Sequence, residues 1–370
     1  MNWPWGFLVR LDRLLRRAVR RAARVASVVS IVGLKALIDV VLKRDRPKIS
    51  FERLSDYHNH IYLLFALTRV GKVGCYPRHA PLAYKNMPIR DFLRRVRINW
   101  HSPTDGILLS ESAHGPDILH INPKYYSLRP SQHRFFAPYF AHPEFYRTGL
   151  HNAVLNMRRR ERNVKIFFAG GYNTHYSENF RFPILSRDKI LRHLIEQFEW
   201  AIKADADKNG VKSILFVSPS DGGSLDKHKL SIQDYIDTMS RSEFFICPPG
   251  CVHPHSHNLV EAMSVGAIPI TNYHSYMRPP LTPDGNCLAF STLQELEIAV
   301  NRALHMHVGE VQRLRESVIS YYDEHLKPEN FGKKLMERPA SISEVVVIDE
   351  HYIWDCVKAD LKWTPSVGFM

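Results

Sequence analysis

From Val164 onward, short apolar runs alternate with amphipathic stretches, and this alternation constrains the fold more than any other feature of the chain. The runs VKIFFA, SILFVS, FFIC, AIPIT and CLAF, which begin at residues 164, 213, 244, 267 and 287, are typical of buried strands. Helical periodicity separates or follows them at 189–203, 232–239, 259–265, 293–304 and 308–325. Strands that alternate with helices predict a parallel, doubly wound α/β sheet, whose ligands bind beyond the carboxyl ends of the strands.

The part of the chain before Val164 is less regular, although it contains the same kinds of element. Short apolar runs lie at 106–110 and 117–121, helical spacing at 150–157 predicts a helix, and the arginines of 158–162 flank a domain junction. We therefore expect a leader, an acceptor-side domain, a ligand-binding domain and a C-terminal extension that packs back on the domains, over residues 1–48, 49–160, 161–330 and 331–370.

The basic charge of the chain is concentrated in the leader. The net charge is +13, and residues 1–48 hold twelve Lys and Arg against three Asp. Apolar residues from Leu8 to Val29 recur at three- and four-residue spacing, which predicts a basic amphipathic helix that lies on an anionic membrane surface. Its longest uncharged stretch, Val25 to Leu34, is half of the roughly twenty residues that a membrane span needs. The alternatives are a mitochondrial presequence and a solvated helix packed on the protein.

The segment 244–273, FFICPPGCVHPHSHNLVEAMSVGAIPITNY, carries the strongest indication of chemistry. A strand enters a Pro/Gly loop, a helix begins near Asn258, Gly266 ends it, and another strand follows. The N–H groups and dipole at such a helix start suit a diphosphate. Glu261, in the first turn, is able to accept two hydrogen bonds from a ribose diol. Alternatively, Asn258 and Glu261 form a capping box that serves only the helix itself.

The stretch PPG…HNLVEAMSVGAIPI resembles the donor-site signature of GT-B glycosyltransferases, in its exostosin-like and retaining forms. The resemblance implies two Rossmann-like domains and a nucleotide-sugar donor whose ribose is bound by Glu261. FFAGGYN resembles the glycine turn of the donor domain, so Gly170 and Gly171 are expected near the donor phosphates or the reacting centre. The retaining pattern often has another Glu where this chain has His253, which leaves inversion or retention open.

Histidines and cysteines in the same loop offer two interpretations. Five of them form a possible zinc set, although their spacing fits no standard finger: Cys247, Cys251, His253, His255 and His257. Alternatively, the histidines donate hydrogen bonds to donor phosphate or sugar hydroxyls. The predicted donor-binding set is Glu261, Asn258, Gly170, Gly171, His257, Ser256 and His253. We expect no metal and no cofactor, with the nucleotide-sugar as co-substrate.

Other candidates for the chemistry are less specific. The cation that stabilises the leaving diphosphate is expected from Arg181, Arg187 or Lys189. The turn at 218–223 is a candidate for holding the base or ribose. A general base for an inverting reaction is expected from the first domain, where the candidates are Asp56, His58, His60, Glu111, His114 and Asp117.

Together these features predict a glycosyltransferase of polysaccharide biosynthesis that acts on a lipid-linked or surface-glycan acceptor. Five scattered cysteines suit a reducing compartment, and the leader predicts a peripheral position on the cytoplasmic face of a membrane. One alternative is a non-catalytic scaffold with a transferase-like fold. Another is a nucleic-acid-binding protein, but without the leader the chain carries only +4 and has no recognised nucleic-acid motif, so no nucleic-acid partner is expected.

Overall fold

The computed structural model describes residues 49–51, 73–75, 98–99, 107–110, 118–171, 178–199, 202–203, 212–217 and 230–359. The chain divides into two compact units, residues 1–121 and 122–370, so the predicted junction near residue 160 falls inside the second unit. The leader, the turn at 218–223 and the six candidates for a general base lie outside the described residues. Within them, no helix has the length and apolar character needed to cross a membrane.

The described part of the first unit consists of parallel strands. They are β1 (Ile49–Phe51), β2 (Val73–Cys75), β3 (Ile98–Asn99), β4 (Ile107–Ser110) and β5 (Ile118–Asn122), which ends at the boundary between the units. Their order is β3-β2-β1-β4-β5, and every neighbouring pair is parallel. Strands β4 and β5 coincide with the two short apolar runs of this part of the sequence.

The second unit contains strands β6 to β13 among its described residues. Their bounds are β6 (Arg134–Phe136), β7 (Val164–Ala169), β8 (Ile202–Lys203), β9 (Lys212–Val217), β10 (Ser242–Cys247), β11 (Ile268–Thr271), β12 (Leu288–Ala289) and β13 (Glu344–Val346).

The described helices of this unit are α1 (Pro143–Arg147), α2 (Val154–Arg158), α3 (Arg187–Phe198), α4 (Ile232–Ser240), α5 (His257–Ser264), α6 (Leu293–His305), α7 (Val308–Tyr321), α8 (Pro328–Met336) and α9 (Glu350–Lys358). Three predicted helices differ in detail. The stretch at 189–203 ends at Phe198 and is followed by β8, 308–325 finishes in a π-helical turn, and 150–157 starts with a 3₁₀ turn. Periodicity identifies an apolar face but not the hydrogen-bond register that continues or ends a helix.

The main sheet of the second unit has the order β12-β11-β10-β7-β9-β8, and its neighbours are all parallel. The predicted parallel α/β sheet is therefore confirmed. The chain runs from β7 to β8 and β9 on one side, and then crosses to β10, β11 and β12 on the other. The order reverses between β7 and β10, and the crevice beyond such a reversal is where open α/β sheets bind ligands.

Buried aromatic residues fix the two strands that flank this crevice. Phe167 of β7 and Phe245 of β10 are register partners, both fully buried, with ring centroids 5.4 Å apart in an edge-to-face arrangement. Apolar burial on both faces is characteristic of a parallel sheet covered by helices. Gly266, after α5, has φ of +77°, and a Cβ there would come within 3.2 Å of the Ile319 side chain. The predicted end of the helix at glycine therefore has a conformational and a steric reason.

Candidate functional site

A cavity of about 350 Å³ lies beyond the carboxyl end of β10. Most of its lining comes from residues 250–257, in the loop that joins β10 to α5. The other lining residues are Tyr139, Arg187, Glu350 and Trp354. The cavity therefore combines the predicted loop with side chains from three other segments of the second unit.

Arg187, the first residue of α3, holds a positive charge against the cavity. It is 6% exposed. Its Nε donates to the Pro249 carbonyl at 2.8 Å, its Nη2 to the Ser256 hydroxyl at 2.9 Å, and its Nη1 lies 3.4 Å from the Gly171 carbonyl. Because Gly171 follows β7 and Pro249 follows β10, the guanidinium links the two loops at the sheet reversal.

The start of α5 lies beside this guanidinium. Ser256 is the N-cap residue, yet its side chain makes no capping bond and instead accepts from Arg187. His257 donates from Nδ1 to the Phe140 carbonyl at 2.8 Å and stacks on Tyr139, with ring centroids 5.0 Å apart. We call Arg187, Ser256 and His257 the positive side of the cavity. A guanidinium, a hydroxyl and a helix start together suit the oxygens of a phosphate group.

The other two histidines of the loop are buried among tyrosine rings. Nδ1 of His255 is hydrogen-bonded to the Tyr126 hydroxyl at 2.6 Å, and burial lowers the pKa of His255 well below 6.5, so its ring is neutral. His253 is 3% exposed and its Nε2 lies 3.6 Å from Oε1 of Glu350, which is beyond hydrogen-bond distance. Among the residues that the structure describes, no hydrogen-bond partner faces the buried His253 Nδ1 and His255 Nε2.

The zinc interpretation receives no support from this arrangement. In the part of the chain that the structure describes, no group of three His, Cys, Asp or Glu side chains is placed to hold a metal ion. Cys247 lies fully buried in β10, and the next cysteine along the chain, Cys251, is partly buried in the loop. The histidine rings pack against Tyr126 and Tyr139 instead of converging with these sulfurs.

Glu261 lies outside the lining of the cavity. It is 3% exposed, its Oε1 accepts from the His142 amide at 2.9 Å, and its carboxylate is hydrogen-bonded to Tyr235. Burial raises the pKa of Glu261 to about 7 against the opposing effect of these two bonds. The capping-box alternative is wrong, because α5 begins one residue before Asn258 and its N-cap is Ser256. The contact with a ribose diol stays a prediction.

Some of the other predicted donor-binding residues line the cavity, and the rest lie outside its lining. His253, Ser256 and His257 line the cavity, whereas Asn258 is buried outside the lining. Gly170 and Gly171 pass close to Arg187: a Cβ on Gly170 would come 3.5 Å from Nη1, and φ at this residue is +154°. The distance to Nη1 is an ordinary contact, so glycine is favoured here by its φ and by the Phe168 ring, which a Cβ would approach to 3.3 Å.

The structure distinguishes among the candidate cations and identifies lining residues that the sequence did not indicate. Of the three candidate cations, Arg187 lines the cavity, whereas Arg181 and Lys189 are exposed elsewhere. Tyr139 follows β6, and the pair Glu350 and Trp354 lies on α9, in a C-terminal stretch that has no functional motif. The only sequence signal for this pair is its i,i+4 spacing, which places both side chains on one helix face.

Comparisons with known proteins give distant likenesses only. No protein-family model matches the chain, and no curated protein matches it. Among solved structures, Anabaena HepE in complex with UDP and glucose is similar with a TM-score of 0.40 and 9% identity, over 79% of this chain and 98% of that one. A second structure, HepE with UDP, gives a TM-score of 0.33 and 11% identity over 78% and 98%.

An α,α-trehalose-phosphate synthase (UDP-forming) from Burkholderia vietnamiensis gives a TM-score of 0.35 and 11% identity, over 84% of this chain and 78% of that one. Likenesses at this level are too weak to assign a family or an activity to the chain.

Proposed function

We propose that this chain is a glycosyltransferase that uses a nucleotide-sugar donor. The observation that carries the proposal is Arg187, a buried guanidinium fixed by Pro249 and Ser256 at the start of α5. A fixed cation and a helix start at the reversal of a parallel sheet form a site for a diphosphate. The resemblance of the loop sequence to GT-B donor sites points to the same ligand.

In the proposed reaction, an acceptor hydroxyl oxygen bonds to the anomeric carbon of the donor sugar. The bond between that carbon and the diphosphate oxygen breaks, the nucleoside diphosphate leaves with the bonding electrons, and the acceptor hydroxyl gives its proton to the solvent. Arg187 and the N-terminal end of α5 stabilise the negative charge that develops on the leaving group. A water-excluded, preorganised cation is effective here because it needs no reorganisation during bond cleavage. We therefore propose transfer without a divalent metal ion.

The acceptor and the cellular position are further parts of the proposal. We propose a lipid-linked or surface-glycan acceptor, which the basic leader at 1–48 reaches by binding anionic lipid on the cytoplasmic face of a membrane. Flotation with anionic liposomes tests this on the full chain and on a chain lacking residues 1–48. Binding that is equal for the two chains would exclude the leader as the membrane element.

The diphosphate site is tested by calorimetry with inorganic pyrophosphate, ADP, GDP and UDP. Arg187→Met keeps the length of the side chain and removes its charge, and we expect the affinity for pyrophosphate to fall about a hundredfold. Arg192→Met is the matched control, because Arg192 is an exposed arginine on the same helix. Equal losses in both variants would mean that net charge, and not the site, governs binding.

Turnover separates an enzyme from the scaffold alternative. The full chain is incubated with a panel of nucleotide-sugars, with and without EDTA, and release of nucleoside diphosphate is measured. We expect EDTA-resistant release from at least one donor, at a rate that Arg187→Met reduces. Diphosphate binding without release from any donor, in the presence of glycan acceptors, would favour a non-catalytic scaffold.

A further inference from the structure

Besides its positive side, the cavity is lined by an acidic and an aromatic side chain. Glu350 and Trp354, which we call the acidic side, lie one helical turn apart on α9, and both line the cavity. The Glu350 side chain is 37% exposed, so its carboxylate is accessible to a ligand. One small cavity therefore presents a cation and a helix start together with a carboxylate and an indole.

Parallel strand pairing brings the acidic side to this place. In the pairing of β6 with β13, Phe135 is the register partner of Val345, and the Ala137 amide donates to the Val346 carbonyl at 2.8 Å. Segments that leave the carboxyl ends of parallel neighbours emerge at the same edge. Tyr139 follows β6 and α9 follows β13, so both reach the cavity.

The Tyr139 phenol links the two sides electrostatically. Burial raises its pKa well above 10.0, the Glu350 carboxylate raises it further, and the Arg187 guanidinium lowers it. One hydroxyl therefore lies within electrostatic range of both charged groups. Because both sides line one cavity of about 350 Å³, a single ligand with an anionic end and a neutral end is able to meet both.

We infer that the acidic side receives the sugar of the donor and selects a neutral sugar over a uronic acid. This inference rests on the proposed function. The Glu350 carboxylate accepts hydrogen bonds from sugar hydroxyls, and the Trp354 indole packs against the apolar face of the ring. A sugar carboxylate in the same place would meet the like charge of Glu350, which is the kind of repulsion that creates specificity.

The experiment compares UDP, UDP-glucose and UDP-glucuronic acid by calorimetry on the full chain. We expect the wild type to bind UDP-glucose about tenfold more tightly than UDP-glucuronic acid. Glu350→Gln keeps the side-chain shape and is expected to bring this ratio to within about twofold, with UDP affinity unchanged. Trp354→Leu is expected to weaken both sugar nucleotides and to leave UDP unchanged.

Asp355→Asn is the matched control, since Asp355 is an exposed carboxylate on the same helix and does not line the cavity. It is expected to leave the preference unchanged. If UDP binds and depends on Arg187, but the two sugars bind equally or Glu350→Gln preserves their ratio, this inference is overturned and the proposed function stands. If neither UDP nor pyrophosphate binds, the proposed function is overturned and the inference fails with it.

Discussion

The two sides of the cavity differ in how the chain builds them. The positive side follows two adjacent strands of the main sheet, and its Arg187 is 6% exposed and held by hydrogen bonds to both loops. The acidic side comes from α9, near the end of the described chain, and Glu350 is 37% exposed. Under the proposed function this difference corresponds to a division of tasks, in which a rigid, buried cation would bind the diphosphate and a more accessible carboxylate would contact the part of the ligand that varies.

The largest expected effect concerns Glu261, which lies outside the cavity lining, and the pH dependence of stability. Because the pKa of Glu261 is about 7 in the folded state and near 4.5 ordinarily, the folded state holds this proton more firmly. The free energy of unfolding should therefore fall by about 3 kcal/mol as the pH rises from 4.5 to 7. Glu261→Gln should remove this pH dependence, which urea denaturation at pH 5 and pH 8 measures.

Glu196→Gln is the control for this measurement, because Glu196 is exposed on α3. A slope that survives in Glu261→Gln would show that another group causes it. The same variant also tests the predicted ribose contact, since UDP and pyrophosphate differ by the nucleoside. Loss of affinity for UDP alone would place ribose at Glu261, and unchanged affinity for both would limit the carboxylate to holding the His142 segment against α5.

His257 tests whether the positive side depends on more than the guanidinium. His257→Phe preserves the ring that stacks on Tyr139 and removes the nitrogens. Because Nδ1 donates to the Phe140 carbonyl, Nε2 donates to a phosphate only when the imidazole is protonated. Pyrophosphate affinity should therefore fall about fivefold at acidic pH, as expected for loss of one hydrogen bond, and little at alkaline pH. His305→Phe is the control, because Nδ1 of this exposed histidine also donates to a carbonyl, that of Asn301. Unchanged affinity in His257→Phe would leave Arg187 and the helix start as the anion site.

Substitution of Ser256 is expected to have the smallest effect on pyrophosphate affinity, and comparison with Ser231 separates an effect on binding from an effect on stability. Its hydroxyl accepts from Arg187 and not from its own helix, so Ser256→Ala should lower pyrophosphate affinity about threefold with little change in stability. Ser231 caps α4 by accepting from the Asp234 amide at 3.1 Å. Ser231→Ala should therefore cost about 1 kcal/mol of stability and leave affinity unchanged. The opposite pattern in the two variants would contradict the assigned contacts.

The sequence was sufficient for five of the six described strands of the main sheet, all except β8, and for half of the cavity. The runs at Val164, Phe244 and Ala267 predict β7, β10 and β11 to within two residues, because strand and helix periodicities are local properties of side-chain order. The same patterns place the loop after β10 at the ligand-binding edge. They do not give the exact start of α5, where a shift of one residue decides between a capping box and an N-cap at Ser256.

Tertiary structure alone selected Arg187 among three basic residues, since burial and contacts with Pro249 and Ser256 depend on the approach of two loops. It also buried Glu261 against the His142 amide, which raises the pKa of that carboxyl. Finally, it brought Glu350 and Trp354 to the cavity through the parallel pairing of β6 with β13. No local pattern encodes this, because pairing between distant strands depends on the packing of the whole second unit.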